Sequence, residues 1–186
     1  MRRVSAFEQV SLDGFFVDAR GDMSWAHKQD PEWNEFAASN ARGGGALLFG
    51  RVTYEMMAGY WQTPAARETA PEVAEGMNNM PKVVFSRTLE KATWKNTTLL
   101  KGDPAAEVGR MKKEPGPDFT ILGSGSIVSQ LAKAGLIDDL QIVVNPIVLG
   151  KGRTLFGTVE EKIPLKRVDA RTFRNGNVVL SYEPVR

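Results

Sequence analysis

A strand, a glycine-bearing turn and a helix follow one another between Phe119 and Ala134, and the turn itself reads Gly123-Ser124-Gly125-Ser126. A helix N-terminus exposes N–H groups and the positive end of the helix dipole, so it attracts phosphate. Gly123 and Gly125 let a pyrophosphate approach the backbone, and Ser124 and Ser126 add hydroxyl donors. The same pattern also serves in plain tight turns, and the motif alone does not separate the two readings. A Rossmann fingerprint is excluded. That motif opens its domain and wants an acidic residue ~20 positions later, whereas this turn lies well into the chain with Asp138 and Asp139 too early.

Two more strand ends carry donors of the same kind. In Phe49-Gly50-Arg51-Val52-Thr53 a strand stops, glycine turns, and Arg51 and Thr53 sit at a helix start. Val84-Phe85-Ser86-Arg87-Thr88 again ends a strand in hydroxyl plus guanidinium. The arginine fork suits the 2′-phosphate that distinguishes NADP. Either arginine alone reads equally as a solvated surface charge. Three strand ends together say more, because ligands of open α/β sheets gather at the carboxyl ends of strands. Gly150-Lys151-Gly152-Arg153-Thr154 lacks the spacing of a P-loop and is expected to be an ordinary loop.

Several chemistries fall away on composition. There is no cysteine, hence no disulfide, thiolate metal site or cysteine nucleophile. The one histidine, His27, supports neither a zinc cluster nor a Ser–His–Asp triad and is expected to be a loop residue; no metal is expected. The net charge of +2, with both signs interspersed, shows no basic stripe of a nucleic-acid binder. Met1-Arg2-Arg3 is followed by no apolar signal region, and no apolar run approaches the ~20 residues of a membrane span. A cytoplasmic protein is the expectation.

The elements that must hold these residues come from pattern. With 186 residues, 42% of them hydrophobic, the chain suits one domain over 1–186 with a core of its own. A first strand is expected over Val4–Val10, ending in the turn Ser11-Leu12-Asp13-Gly14. Asp30-Pro31 is an N-cap followed by a favoured first helical residue, so a helix begins there and stops at Gly43-Gly44-Gly45. Strands are expected at Ala46–Phe49, Lys82–Ser86, Thr98–Leu100, Phe119–Leu122 and Leu140–Val144. Helices are expected over Thr53–Gly59, from Asp103 to about Lys113, and over Ile127–Ala134. Trp61–Met80, with Pro64 and Pro71, is expected to be loop with one short helix. Arg174-Asn175-Gly176-Asn177 between apolar runs signals a terminal hairpin. The order predicts an α/β fold with a mainly parallel central sheet, antiparallel C-terminal strands and helices on both faces.

Taken together, Ser11-Leu12-Asp13-Gly14, Phe49-Gly50-Arg51-Val52-Thr53, Val84-Phe85-Ser86-Arg87, Gly123-Ser124-Gly125-Ser126 and the long segment Asn145–Phe156 resemble the RibD C-terminal family. That family comprises the reductase domain of riboflavin biosynthesis and its stand-alone relatives, with the dihydrofolate reductase-like fold. The resemblance spans nearly the whole chain in order, and its most specific part is Pro146–Phe156. It implies NADPH as cofactor and a homodimer. Gly50, Arg51 and Thr53 match positions that meet cofactor phosphates, Ser86 and Arg87 the 2′-phosphate site, and Gly123, Ser124, Gly125 and Ser126 the pyrophosphate turn.

At the catalytic end, Gly21-Asp22-Met23-Ser24-Trp25 with Asp30 is similar to the dihydrofolate reductase active-site loop and its pterin-binding carboxylate. Asp30 is thus the candidate catalytic group, and it serves equally as a helix cap; one carboxylate can do both. Trp25, Phe36 and Asp13 are the substrate-binding candidates, although aromatics at helical spacing also read as core and Asp13 also shapes its turn. Where the riboflavin reductases carry an acidic pair shortly after the threonine matched by Thr53, this chain has Met56-Met57, which leaves the substrate open. The resemblance implies an NADPH-dependent reductase of a small heterocycle, similar to 5-amino-6-(5-phosphoribosylamino)uracil reductase. The alternatives are a non-catalytic NADP(H)-binding protein of the same fold and a dihydrofolate or pterin reductase.

Overall fold

The computed structural model describes residues 1–26, 30–42 and 44–185. His27 and Gly43 therefore lie outside the described residues. Strand β1 (Val4–Ser11) leads through a turn to β2 (Phe15–Asp18), a single 3-10 turn (Ser24–Ala26) and helix α1 (Pro31–Arg42). Then come β3 (Ala46–Gly50), α2 (Arg51–Trp61), α3 (Pro64–Thr69), α4 (Pro71–Asn79), β4 (Lys82–Phe85) and β5 (Thr97–Leu100). The chain continues with α5 (Pro104–Met111), β6 (Phe119–Leu122), α6 (Gly125–Lys133), β7 (Asp139–Asn145), β8 (Gly152–Thr154) and the hairpin β9 (Leu165–Thr172) and β10 (Val178–Pro184).

The main sheet has the order β5-β4-β3-β6-β1-β7-β10-β9. From β5 to β7 every neighbour is parallel, and β10 and β9 add antiparallel. Strand β3 shows why both faces are covered. Ala46 and Leu48 point into one apolar cluster with Val108 of α5 and Ile127, Val128 and Leu131 of α6. Leu47 and Phe49 point the other way, to Tyr54 of α2, Met77 of α4 and Trp94. A strand buried on both faces reads as a continuous apolar run rather than an alternation. A third cluster joins Trp33 of α1 to Val143, Phe173 and Val179 at the antiparallel end.

Three expectations need correction. Pro64 and Pro71 do not keep 61–80 a loop; each occupies the first turn of its own helix, where the missing N–H is no loss. Gly152–Thr154 is not loop but strand β8, pairing antiparallel with β2 in a small second sheet that was not foreseen. There Gly152 lies so close to β2 that a Cβ would fall 2.0 Å from the Val17 carbonyl oxygen. Finally, α6 begins at Gly125, so the glycine turn is itself part of the helix start.

Candidate functional site

The sheet opens between β1 and β6. Strand β1 pairs with β6 only from Val4 to Phe7, but stays paired with β7 as far as Ser11. Beyond Phe7 the β6 chain turns away at Gly123 into α6, and the gap is a cleft of about 600 Å³. That size suits a bound small molecule, for which pockets of roughly 300–1,000 Å³ are usual. The gap lies at the carboxyl ends of β1, β3 and β6, where open α/β sheets take their ligands.

Its mouth is built from two strand-to-helix turns locked to each other. The Gly50 N–H donates to Ser124 Oγ at 2.9 Å, and the Ser124 N–H donates to Thr53 Oγ1 at 3.3 Å. Gly50 is the N-cap of α2 and Ser124 that of α6, so two helix N-termini converge here. Both Gly123 (φ 71°) and Ser124 (φ 29°) lie at positive φ. For a serine this is strained backbone of the kind that persists where surrounding structure enforces it. A side chain at Gly123 would put its Cβ 3.1 Å from Thr53 Cγ2, and one at Gly125 would stand 2.6 Å from the Phe16 ring. Both glycines are thus demanded by the packing of the turn.

The lining divides by chemistry. Arg51, Thr53, Ser124, Ser126, Arg153, Thr154 and Thr158 supply cations and hydroxyls, while Phe7, Phe16, Met23, Met56, Met57 and Leu122 supply apolar surface. Arg51 is tied to Glu55 one turn along α2 at 2.9 Å, and the Arg153 guanidinium lies over the Phe16 ring at 5.4 Å from its centroid. One carboxyl lines the cleft, that of Glu8. It is 2% exposed, and among the described residues its Oε1 has no hydrogen-bond partner. Burial pushes the Glu8 carboxyl well above the usual carboxylate range, a shift that the backbone N–H of Gly123 partly offsets.

The expected cofactor residues Gly50, Arg51, Thr53, Gly123, Ser124, Gly125 and Ser126 all line the cleft. Ser86 and Arg87 do not. They follow β4, whose Phe85 pairs with Gly50, and so they extend the same carboxyl edge one strand further. Ser86 Oγ accepts from the N–H groups of Thr88 and Leu89, closing a turn that leaves Arg87 exposed.

The substrate and catalytic candidates stand apart from the lining. Asp30 Oδ1 accepts from the Trp33 N–H at 2.9 Å, capping α1. Trp25 donates its indole N–H to the Asp22 carbonyl. Phe36 packs on Trp33 and Phe173, one ring behind the cleft residue Phe7, whose centroid is 6.3 Å away. Asp13 accepts from Ser11 Oγ and from the N–H groups of Leu149 and Gly150, clasping the Asn145–Phe156 segment to the β1 turn. Those bonds, the Ser11 hydroxyl foremost, hold its carboxyl down to about 2.

Sequence reasoning missed Glu8, Phe16 and Arg153. Glu8 did leave a signal: it is the one charged residue among the inward positions Val4, Ala6 and Val10 of β1. Arg153 and Phe16 gave none, since they meet only because β2 and β8 pair. Among the described residues no cluster of His, Asp and Glu could hold a metal, and no helix is long and apolar enough to cross a membrane.

The geometry agrees with what known proteins show. The chain is 31% identical over 185 residues to YyaP of Bacillus subtilis (strain 168), a protein called uncharacterized, covering 97% of this chain and 94% of the relative. In structure it is similar to a protein of Shewanella sp. PV-4 named for riboflavin biosynthesis, with a TM-score of 0.77, 22% identity and 99% of both chains covered. It is also similar to the dihydrofolate reductase of Enterococcus faecalis complexed with NADP(H), with a TM-score of 0.65, 14% identity, and 99% and 97% of the two chains covered. The fold is therefore dihydrofolate reductase-like. With the RibD C-terminal domain profile matching residues 2–179, the chain belongs to the RibD C-terminal domain family.

Proposed function

We propose that this protein is an NADPH-dependent reductase of a small heterocyclic substrate, resembling the reductase of 5-amino-6-(5-phosphoribosylamino)uracil. The observation that carries the reading is the pair of interlocked turns at Gly50–Thr53 and Gly123–Ser126, set at the mouth of a cleft with apolar walls. A dinucleotide needs both parts: donors and cations for its phosphates, and a slot for its flat ring. The donor set fits, because the lining holds two arginines and several hydroxyls, and its single carboxyl sits in the buried floor rather than at the mouth.

In this reading Gly50, Arg51, Thr53 and Gly123–Ser126 hold the pyrophosphate, with Arg153 as a further cation. Ser86 and Arg87, on the adjoining strand end, reach the 2′-phosphate. The bound cofactor supplies a hydride; the protein supplies position and electrostatics. Phe7, Phe16, Met23 and Leu122 keep water from the rings. Asp30, Trp25, Asp13 and Phe36 are proposed on the substrate side, Asp30 as orienting carboxylate and α1 cap at once, Asp13 by fixing the loop over the cleft, and Phe36 by backing Phe7. Residues 1–186 form one domain in this reading. The protein works in the cytoplasm as a homodimer, binding neither nucleic acid nor membrane.

Titration of the purified protein with NADPH and NADH, followed by nicotinamide fluorescence, tests the proposal. Tight binding with preference for NADPH is expected, and Arg87→Ala should weaken NADPH far more than NADH. Equal losses would remove Arg87 from the 2′-phosphate site, and no binding of either nucleotide would overturn the reading. A second reading, a nucleotide-binding protein without turnover, draws on Met56 and Met57, both of which face the cleft. Binding of NADPH without reduction of any pyrimidine or pterin would favour it.

A further inference from the structure

We propose that Glu8 is the acid group of the cleft, a carboxyl that hands a hydrogen bond, and in turnover a proton, to an acceptor atom on a ring bound there. The inference rests on the cofactor reading above and adds to it the group that completes the chemistry.

The geometry is specific. Glu8 is the first residue of β1 past the last rung shared with β6, so its side chain stands where the two strands part. It lines the cleft, is almost fully buried, and has one oxygen with no partner among the described residues. Its inward neighbours on the strand, Val4, Ala6 and Val10, belong to the apolar core. A buried polar atom without a partner costs stability, and a leucine would fill the same place without that cost. A carboxyl kept there against stability points to a ligand that satisfies it.

Its surroundings decide which form it takes. Among the described residues, the other charged groups lining the cleft are Arg51 and Arg153. Arg51 is engaged by Glu55, and Arg153 lies over Phe16. Burial is the dominant influence on the Glu8 carboxyl and raises its pKa, and the Gly123 N–H opposes it. Burial thus favours the neutral acid, and a neutral carboxyl offers its free oxygen as O–H. A donor in that position selects a ligand with a carbonyl oxygen or an unprotonated ring nitrogen, and disfavours a cationic ring edge.

During reduction of a conjugated C=N or C=O bond, Glu8 supplies the proton that balances the hydride delivered by a reduced nicotinamide. Its O–H bond breaks, an N–H or O–H bond forms on the substrate, and the carboxylate left behind regains a proton from water. The acceptor atom has two possible sources, the carboxamide of the cofactor and the substrate ring, and the test separates them.

The experiment is infrared difference spectroscopy of the wild type against Glu8→Gln at neutral pH: first alone, then with NADPH, then with NADPH and either 5,6-diaminouracil or dihydrofolate. A protonated-carboxyl C=O band, lost in Glu8→Gln, is expected in the free protein. A shift only when a ring probe is added supports donation to the substrate; a shift with NADPH alone that the ring probes leave unchanged assigns the O–H to the carboxamide and overturns the proton transfer. No such band, or a band unmoved by any of these additions, overturns the proposal. Nicotinamide fluorescence on the same samples distinguishes the failures. NADPH bound with an unmoved band sinks the Glu8 assignment alone, whereas no NADPH bound sinks the cofactor reading as well. Glu8→Leu is the second variant: it should melt no lower than the wild type, and a clear loss of stability would make Glu8 a structural residue and overturn its role as acid.

Discussion

Two ionisable side chains sit almost fully buried in this sheet, at opposite ends of its strands, and their surroundings differ in kind. Lys82 opens β4, and its ammonium donates to the carbonyls of Met80, Asn78 and Lys95 while lying 4.4 Å from the centroid of the Trp94 ring. Each of its three protons has an acceptor. Glu8, by contrast, sits where β1 leaves β6, and one of its oxygens has none. A buried charge with all its bonds made is scaffolding, and removing it leaves holes in the network. A buried polar group left short marks a place where the fold gives up stability, which is what functional sites do.

The largest expected effect tests the first half of that contrast. Lys82→Met keeps the length of the side chain but strips three carbonyls of their donor, and should lower stability by about 3 kcal/mol. NADPH affinity should stay unchanged below the melting range, because Lys82 is not among the cleft-lining residues. Urea unfolding read by tryptophan fluorescence, with a parallel NADPH titration, measures both. A variant as stable as the wild type would show that the three bonds to Lys82 contribute little.

Glu8 should behave in the opposite way, with a pH signature. Its folded pKa is raised, so its relative stabilisation is complete below the unfolded value of about 4.3 and is lost as pH rises toward the folded value. Glu8→Leu removes that loss and the orphaned oxygen together. It should therefore gain about 1–2 kcal/mol over the wild type at neutral pH, and gain less near pH 4. Unfolding midpoints at several pH values give the comparison. A difference that is constant with pH would mean that Glu8 titrates alike in the folded and unfolded chain.

The unequal legibility of these two regions has a physical cause. Strands such as Ala46–Gly50 and Phe119–Leu122, and the turns after them, were readable because their signals are local: an apolar run, a glycine, a helix start. The turns at the mouth of the cleft came with them, since Gly50, Arg51, Thr53 and the Gly123–Ser126 turn all line it. The wall formed by β2 and β8 was not readable. Phe16 and Arg153 lie far apart in sequence and meet through the β2–β8 pairing, whose strands are too short to carry a periodic signal. Glu8 lay between, visible as a charge among inward apolar positions, but meaningful only once the parting of β1 from β6 was known. Sequence gives one short helix where the structure has two, at Pro64 and Pro71, because a proline that breaks a pattern reads like one that starts a helix.

The smallest expected effect sharpens the comparison at a third ionisable side chain, Asp30, which caps its own helix. Its Oδ1 accepts the Trp33 N–H, and α1 in turn brings Trp33 and Phe36 onto Phe173 behind the cleft. Asp30→Ala should cost about 1 kcal/mol, as the loss of an N-cap does. Asp30→Ser restores a capping oxygen without a charge, and should recover most of that stability. The two variants thus separate the roles that sequence left joined. If Asp30 also orients the substrate, Asp30→Ser will bind NADPH and melt like the wild type, yet reduce substrate more slowly at saturation. Full turnover in Asp30→Ser would make Asp30 a cap alone and leave Glu8 as the carboxyl that the reaction uses.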